Sequence, residues 1–204
     1  WEWKGLRKSK PVQNDFSQGS VGANIVRMAV PMTMAELLNV LYNIVDRIYI
    51  GKIPEAGTLA LTGVGICFPI ITLINAFAGL FGTGGAPLCS IARGKQDYPR
   101  ARQIIGVSFF MLVLTAVTLT AGLQLFETPI LRAFGASEAT YTYAAEYMRI
   151  YSLGTLFVMI SLGMNPFINS QGFGKIGMMT IALGAVLNII LDPVLIFGLG
   201  PFPE

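Results

Sequence analysis

Histidine is absent from these 204 residues, and cysteine occurs only twice. Cys67 and Cys89 lie in one apolar run, not at ligand spacing, so no zinc or transition-metal site is expected. Both thiols read as small packing residues. Charge is scarce too, at 12% of residues, where soluble domains carry about a quarter. The scarcity is uneven: residues 56–92, 103–126 and 150–174 carry no charge at all. Each run exceeds the roughly 20 apolar residues that cross a bilayer's hydrocarbon core. What fills them is a 53% hydrophobic chain with 23 glycines and a mean hydropathy of +0.63. Small residues of that kind let membrane helices approach closely. The pattern predicts an all-α, polytopic helical membrane protein.

The net charge of +3 does not point to nucleic acid, because the basic residues flank the apolar runs. Five spans are expected, at about 24–50, 58–93, 100–126, 138–170 and 176–197, after a basic tail at 1–22. The tail is polar and precedes a full-length span, unlike a signal peptide. With it inside, the basic positions 4, 7, 8, 10, 27, 93, 95, 100, 102 and 175 share one side, against 47, 52, 132 and 149 elsewhere. That asymmetry predicts a cytoplasmic N-terminus. The opening Trp1 and the turn-like GLGPFPE at 198–204 read as the ends of a fragment.

Local signals refine the spans. Pro31 should kink the first one near residues 27–31. GTGGAP at 82–87 reads as a flexible or bent part of the second span. It is no phosphate loop, since Cys89 and Gln96 stand where that motif needs Gly and Ser or Thr. Asp97 should cap the third span, with Pro99 in its first turn. Residues 127–137 are expected as an outside loop whose Ser137 caps the fourth span, and 171–175 as a tight inside turn. Glu146 and Arg149 are spaced to pair on the helix surface.

The first span carries a candidate site. Glu36, Asn39, Asn43 and Asp46 fall near one helical face at about 100° per residue. An acid inside a membrane helix is expensive unless paired, protonated or lining water, so it reads as functional. In the fifth span Gly177, Gly184, Asn188 and Asp192 share a small, polar face. Pro193 leaves the carbonyl of Ile189 without its helical donor. Both spans run outward in this topology, which brings Asp46 and Asp192 to similar depth. Two carboxylates and an Asn carbonyl are hard oxygen ligands suited to Na⁺; a dry pair would instead carry a proton. The blander reading makes each an interfacial acid satisfied by water or by Arg47. In the fourth span Tyr147, Tyr151, Gly154, Val158, Ser161, Asn165 and Asn169 recur at steps of three or four. Tyr147 and Asn165 then share an azimuth roughly 27 Å apart.

Four segments together carry a resemblance: Pro31 with Asp46 in YNIVDRIYIG, GTGGAPLCSIARGK, MNPFINSQGF and LGAVLNIILDPVLIFG. They resemble the N-terminal half of the multidrug and toxic compound extrusion (MATE) family from about residue 20 onward. The resemblance implies two six-helix lobes related by pseudo-twofold symmetry, of which this chain would supply five helices. It implies antiport of organic cations or drugs against H⁺ or Na⁺ across the plasma (bacterial inner) membrane, with no other cofactor and no enzymatic activity. Asp46, Tyr147, Asn165, Asn188 and Asp192 match the family's cation- or proton-responsive cluster, and Pro31 its hinge. Glu36, Asn39 and Asn43 remain secondary candidates. The sixth helix and the C-terminal lobe would be a missing partner.

Two other functions fit the sequence less well. A lipid-linked flippase of the same superfamily would favour a more basic cavity than this sequence offers. An intramembrane aspartyl protease needs a facing pair, one in a GxGD context; Asp192 sits in ILDP, and the nearby GxG is followed by Pro201.

Overall fold

The computed structural model describes residues 20–196. The tail expected at 1–22, apart from residues 20–22, and the terminal GLGPFPE lie outside the described residues. Six helices follow one another: α1 (Val21–Gly51), α2 (Gly57–Gly94), α3 (Tyr98–Leu125), α4 (Glu127–Ala133), α5 (Glu138–Ser170) and α6 (Gly174–Ile196). Five are long and apolar enough to cross a membrane, the exception being α4. This is the expected span count, with boundaries shifted by a few residues.

The ends are set by side chains that satisfy otherwise orphaned backbone groups. Ser20 Oγ accepts from the Ala23 N–H at 3.3 Å, and Asp97 Oδ1 from the Arg100 N–H at 3.0 Å. At α5, the Ser137 N–H donates to Thr140 Oγ1 at 3.0 Å. Gly172 turns the chain from α5 to α6 at φ +88°, a conformation glycine adopts without strain.

Three local expectations need correction. Residues 127–137 are not a plain loop, because α4 occupies their first half. That helix brings Glu127 beside α5, where Arg149 Nε and Nη2 donate to its two carboxylate oxygens at 2.8 and 3.1 Å. Arg149 therefore pairs with Glu127 rather than Glu146, the two-point geometry winning over a single helix-surface contact. Third, GTGGAP is continuous α-helix within α2, and two of its glycines serve packing. A Cβ on Gly82 would run into the backbone carbonyl of Gly163, and one on Gly85 would lie 2.6 Å from Phe167 and 2.7 Å from Ser108 Oγ. Pro31 is buried, and α1 stays helical through it.

α2 and α5 run parallel, since Gly63 meets Ala144 near one end and Gly82 meets Gly163 further along. Cys67 donates to the Ala144 carbonyl at 3.4 Å across the same seam. With α3 and α4 they enclose the main core, in which Cys67, Ile74, Leu112, Leu131, Met148 and Met159 are fully buried. A smaller cluster of Ala86, Cys89, Ala92, Ala101 and Phe167 closes the end that carries Arg93. There Arg93 donates to Gln171 Oε1 at 2.8 Å and Ser90 to the Ser170 carbonyl at 3.3 Å.

α1 packs chiefly against α6, also in parallel, with Met28 and Pro31 lying against Gly174. This second pair buries few side chains. Pro31 and Ala35 are the buried residues of α1, and Gly174, Gly177, Ala185 and Asp192 those of α6.

The glycine seam makes a measurable contrast. Gly82→Ala forces two backbones apart and should cost about 1–3 kcal/mol, read as a lower thermal unfolding midpoint in detergent. Gly84→Ala, whose Cβ would meet nothing within 4 Å, should leave the midpoint unchanged. Equal midpoints for the two variants would show that the seam carries no such constraint.

Candidate cation site between the first and last helices

Asp192 is the buried acid of the bundle, 9% exposed on α6. Asn188, one turn earlier, donates its Nδ2 to Asp192 Oδ1 at 3.0 Å. That bond leaves Asp192 Oδ2 and Asn188 Oδ1 buried without a hydrogen-bond donor. Buried oxygens are seldom left so, because an uncompensated polar atom is costly in a low-dielectric interior. Buried acceptors without donors suit a cation or an added proton. Pro193 lies inside α6, so its ring nitrogen offers the Ile189 carbonyl no hydrogen bond.

Asp46 is half-buried on α1 and within electrostatic range of Asp192 and the Tyr147 hydroxyl. Arg47, its sequence neighbour, does not bridge to it. The Arg47 guanidinium instead lies 5.4 Å from the Phe68 ring centroid on α2, a cation–π contact. Tyr147 stacks on Tyr151, with ring centroids 5.9 Å apart and planes 20° from parallel. Tyr151 in turn lies within electrostatic range of Tyr42. The structure thus gathers Asp46, Tyr147, Asn188 and Asp192 where α1, α5 and α6 converge, though among the described residues no direct hydrogen bond joins Asp46 to the α6 pair.

Asn165 is elsewhere. Its Nδ2 donates to the Gly177 carbonyl at 3.2 Å and Thr180 Oγ1 at 3.3 Å. Its own Oδ1 accepts from Asn169 Nδ2 at 2.9 Å. Gly177 is eleven residues before Asn188, about 16 Å along the axis. The expected single cluster is therefore divided into two stations, because α5 is straight enough that five turns separate Tyr147 from Asn165.

The second station borders a cavity of about 280 Å³ between α1, α5 and α6. Glu36 reaches its wall, with Met32, Met178, Asn165 and Asn169. Gly177 is required there, since a Cβ would strike Asn169 Oδ1. Asn39 and Asn43 lie between the stations and bond to each other. Asn43 Nδ2 donates to the Asn39 carbonyl at 2.7 Å and to Asn39 Oδ1 at 3.1 Å. Gly184, expected on the packed face of α6, has open space over its Cα. Tyr42 and Thr180 went unremarked in the sequence. The signal for Tyr42 was its place one turn before Asp46; Thr180 gave none, because its partner lies fifteen residues away.

Five long apolar helices with acids on two parallel members define a helical membrane bundle. The MatE family model matches residues 31–194, and the chain belongs to that family of transporters, which are not enzymes. It is 28% identical over 184 residues to the multidrug export protein MepA of Staphylococcus haemolyticus, covering 90% of this chain and 40% of that protein. Similarity at the same identity extends over 193 residues to a FAD transporter of Shewanella oneidensis, covering 91% and 41%. A crystal structure of MATE in complex with MaD3S superposes with a TM-score of 0.82 at 27% identity, over 90% of this chain and 41% of that one. The chain spans about two fifths of the length of these relatives. It is a multi-pass membrane protein.

The Asn188–Asp192 bond can be tested as a unit. Asn188→Leu strips the carboxylate of its donor and should cost about 1–3 kcal/mol, seen as a lower unfolding midpoint at neutral pH. Adding Asp192→Leu removes the stranded acceptor and should restore most of the loss. A double variant no more stable than the single one would count against the pairing.

Proposed function

We propose that this chain forms one lobe of a secondary antiporter that exports organic, commonly cationic compounds in exchange for Na⁺ or H⁺. The observation that carries this reading is the donor-poor oxygen set of Asp192 Oδ2 and Asn188 Oδ1, with the Asp46 carboxylate within electrostatic range. Na⁺ fits such hard oxygens. The residues that would hold it are Asp46, Asn188 and Asp192, with Tyr147 beside them. A proton on either carboxylate would relieve the same repulsion. Pro31 is the hinge in this reading: it lies buried within α1, fifteen residues before Asp46, where a break in the helical hydrogen bonding lets a charge change at Asp46 bend the helix. A second lobe of the same polypeptide would complete the pathway, in keeping with the relatives' greater length. The tail and the basic end would lie in the cytoplasm by the positive-inside bias.

The Shewanella relative's name raises transport of an anionic dinucleotide as a second reading. The described spans disfavour it. Arg149 is committed to Glu127 and Arg47 lies over Phe68, so among the described residues neither arginine is left to receive phosphates beside Asp46 and Asp192.

Inside-out vesicles carrying the complete transporter test the coupling. Ethidium uptake should follow an imposed Na⁺ or proton gradient and fall at least tenfold in Asp46→Asn with unchanged membrane abundance. Wild-type rates in Asp46→Asn would sink the assignment. Glu36→Gln should raise the half-saturating concentration of ethidium severalfold with little change in maximal rate, since Glu36 lines the cavity but stands apart from the coupling pair. An equal effect on a neutral substrate would deny it a role as counter-charge.

A further inference from the structure

A second groove of about 280 Å³ lies on the opposite side of the bundle, between α2 and α3. Its walls are apolar: Leu80, Gly84 and Leu88 succeed one another at four-residue steps on α2, and Ile104 and Val107 face them from α3. The spacing from Leu80 to Leu88 makes the wall about 12 Å long, parallel to the helix axes. Gly84 creates the depression, since no atom lies within 4 Å of where its Cβ would be. The rims are exposed, Leu80 by 62% and Leu88 and Val107 each by 56%. Arg100 stands at one mouth, at the end of α3 that also carries Arg102 and follows Lys95.

The charge at that mouth is unbalanced. Among the described residues no carboxylate pairs with Lys95, Arg100 or Arg102. Asp97, the acid between them, accepts the Arg100 backbone N–H as the α3 cap. The Arg100 side chain is steadied by donating Nη1 to Gln103 Oε1 at 3.0 Å. A guanidinium has five N–H donors in a planar fork, so most remain for an anion, and phosphate oxygens match that fork. The combination is a narrow apolar channel within the membrane span ending at a fixed, unpaired guanidinium at the span's edge. Basic pockets of this kind between transmembrane helices receive anionic headgroups.

We propose that the α2–α3 groove is a binding site for an anionic phospholipid of the leaflet on the Arg100 side. One acyl chain lies over Gly84 between Leu80, Leu88 and Val107, and the phosphate is held by Arg100 with Lys95 and Arg102 nearby. Phosphate recognition and chain burial are separate contributions, so they can be removed one at a time.

The test uses the complete transporter purified in mild detergent. Phosphatidylglycerol or phosphatidylcholine of identical chains is added, and retained lipid is counted by native mass spectrometry. The wild type should retain about fivefold more of the anionic lipid, the preference expected from roughly 1 kcal/mol per basic residue near a headgroup. Arg100→Gln should bring the two lipids to near equality, lowering phosphatidylglycerol retention more than that of phosphatidylcholine, whose choline already offsets its phosphate charge. Gly84→Leu should lower retention of both, and Gly84→Ala should do so partially, which keeps a graded readout if the larger side chain prevents folding. A benzophenone amino acid at Leu88 should crosslink to lipid in native membranes. Equal retention by the wild type, an undiminished preference in Arg100→Gln, full retention in both Gly84 variants, or crosslinking of position 88 to protein would each overturn the proposal.

Discussion

The close approach of α2 and α5 is the constraint from which the rest of the arrangement follows. Lipid tails are as apolar as the side chains facing them, so membrane helices gain little from burying leucine and must associate by packing. Gly63 against Ala144 and Gly82 against Gly163 let two parallel backbones approach along most of their length. Two parallel helices cannot be joined by a short turn, so the chain makes the intervening crossing as α3, which packs against both. Cys67, Leu112 and Met148 fill the space the three enclose. What remains exposed to α1 and α6 is one flank of α5, carrying Tyr147 at one depth and Asn165 at another.

That flank explains why the polar residues fall into two stations. α6 meets α5 around Gly177, where the absence of a Cβ admits the Asn169 amide and the backbone carbonyl receives Asn165. Further along, Asn188 and Asp192 turn to each other and to Asp46 on α1. The Asn165 station ties the two helices through the Gly177 carbonyl and Thr180; the Asp192 station leaves a carboxylate oxygen without a donor. The same residue type, asparagine, is therefore spent differently by position. Asn165 has its amide hydrogens and its oxygen engaged, whereas Asn188 keeps a free oxygen beside a carboxylate.

The spans, their order and the depth match of Asp46 with Asp192 were legible because they depend on composition and on a 3.6-residue period. Charge-free runs mark crossings, and parity between basic clusters fixes direction. The pairing of Arg149 was not legible, because it depends on α4, a seven-residue helix too short to leave a hydrophobic period. The glycines at 82 and 85 were misread as flexibility. A local sequence cannot report that another helix's backbone occupies the missing side chain's volume, and Gly84, between them, shows that the neighbouring glycine can be in open space instead. Asn165 was assigned to the right helix face but to one cluster with Asp192, since azimuth can be read from spacing whereas contact depth depends on how α6 is set against α5.

The uneven packing bears on how such a lobe could couple a small charge change to a larger movement. In a well-packed pair, a displaced helix forfeits many contacts, and a single ion cannot compensate. α1 offers the opposite case: beyond Pro31 and Ala35 its side chains are half-buried or exposed, and its partner α6 buries mainly glycine, alanine and one aspartate. Two like charges at low dielectric repel by several kcal/mol at an effective dielectric near 20 and a few ångströms. That is comparable with the burial of one or two aliphatic side chains, about 1.5–3 kcal/mol each. The Asp46–Asp192 repulsion acts on the helix pair that buries fewer side chains, since α1 buries two residues where α2 and α5 bury many. In the proposed antiporter the charge change would move α1 against α6 and leave the glycine seam intact.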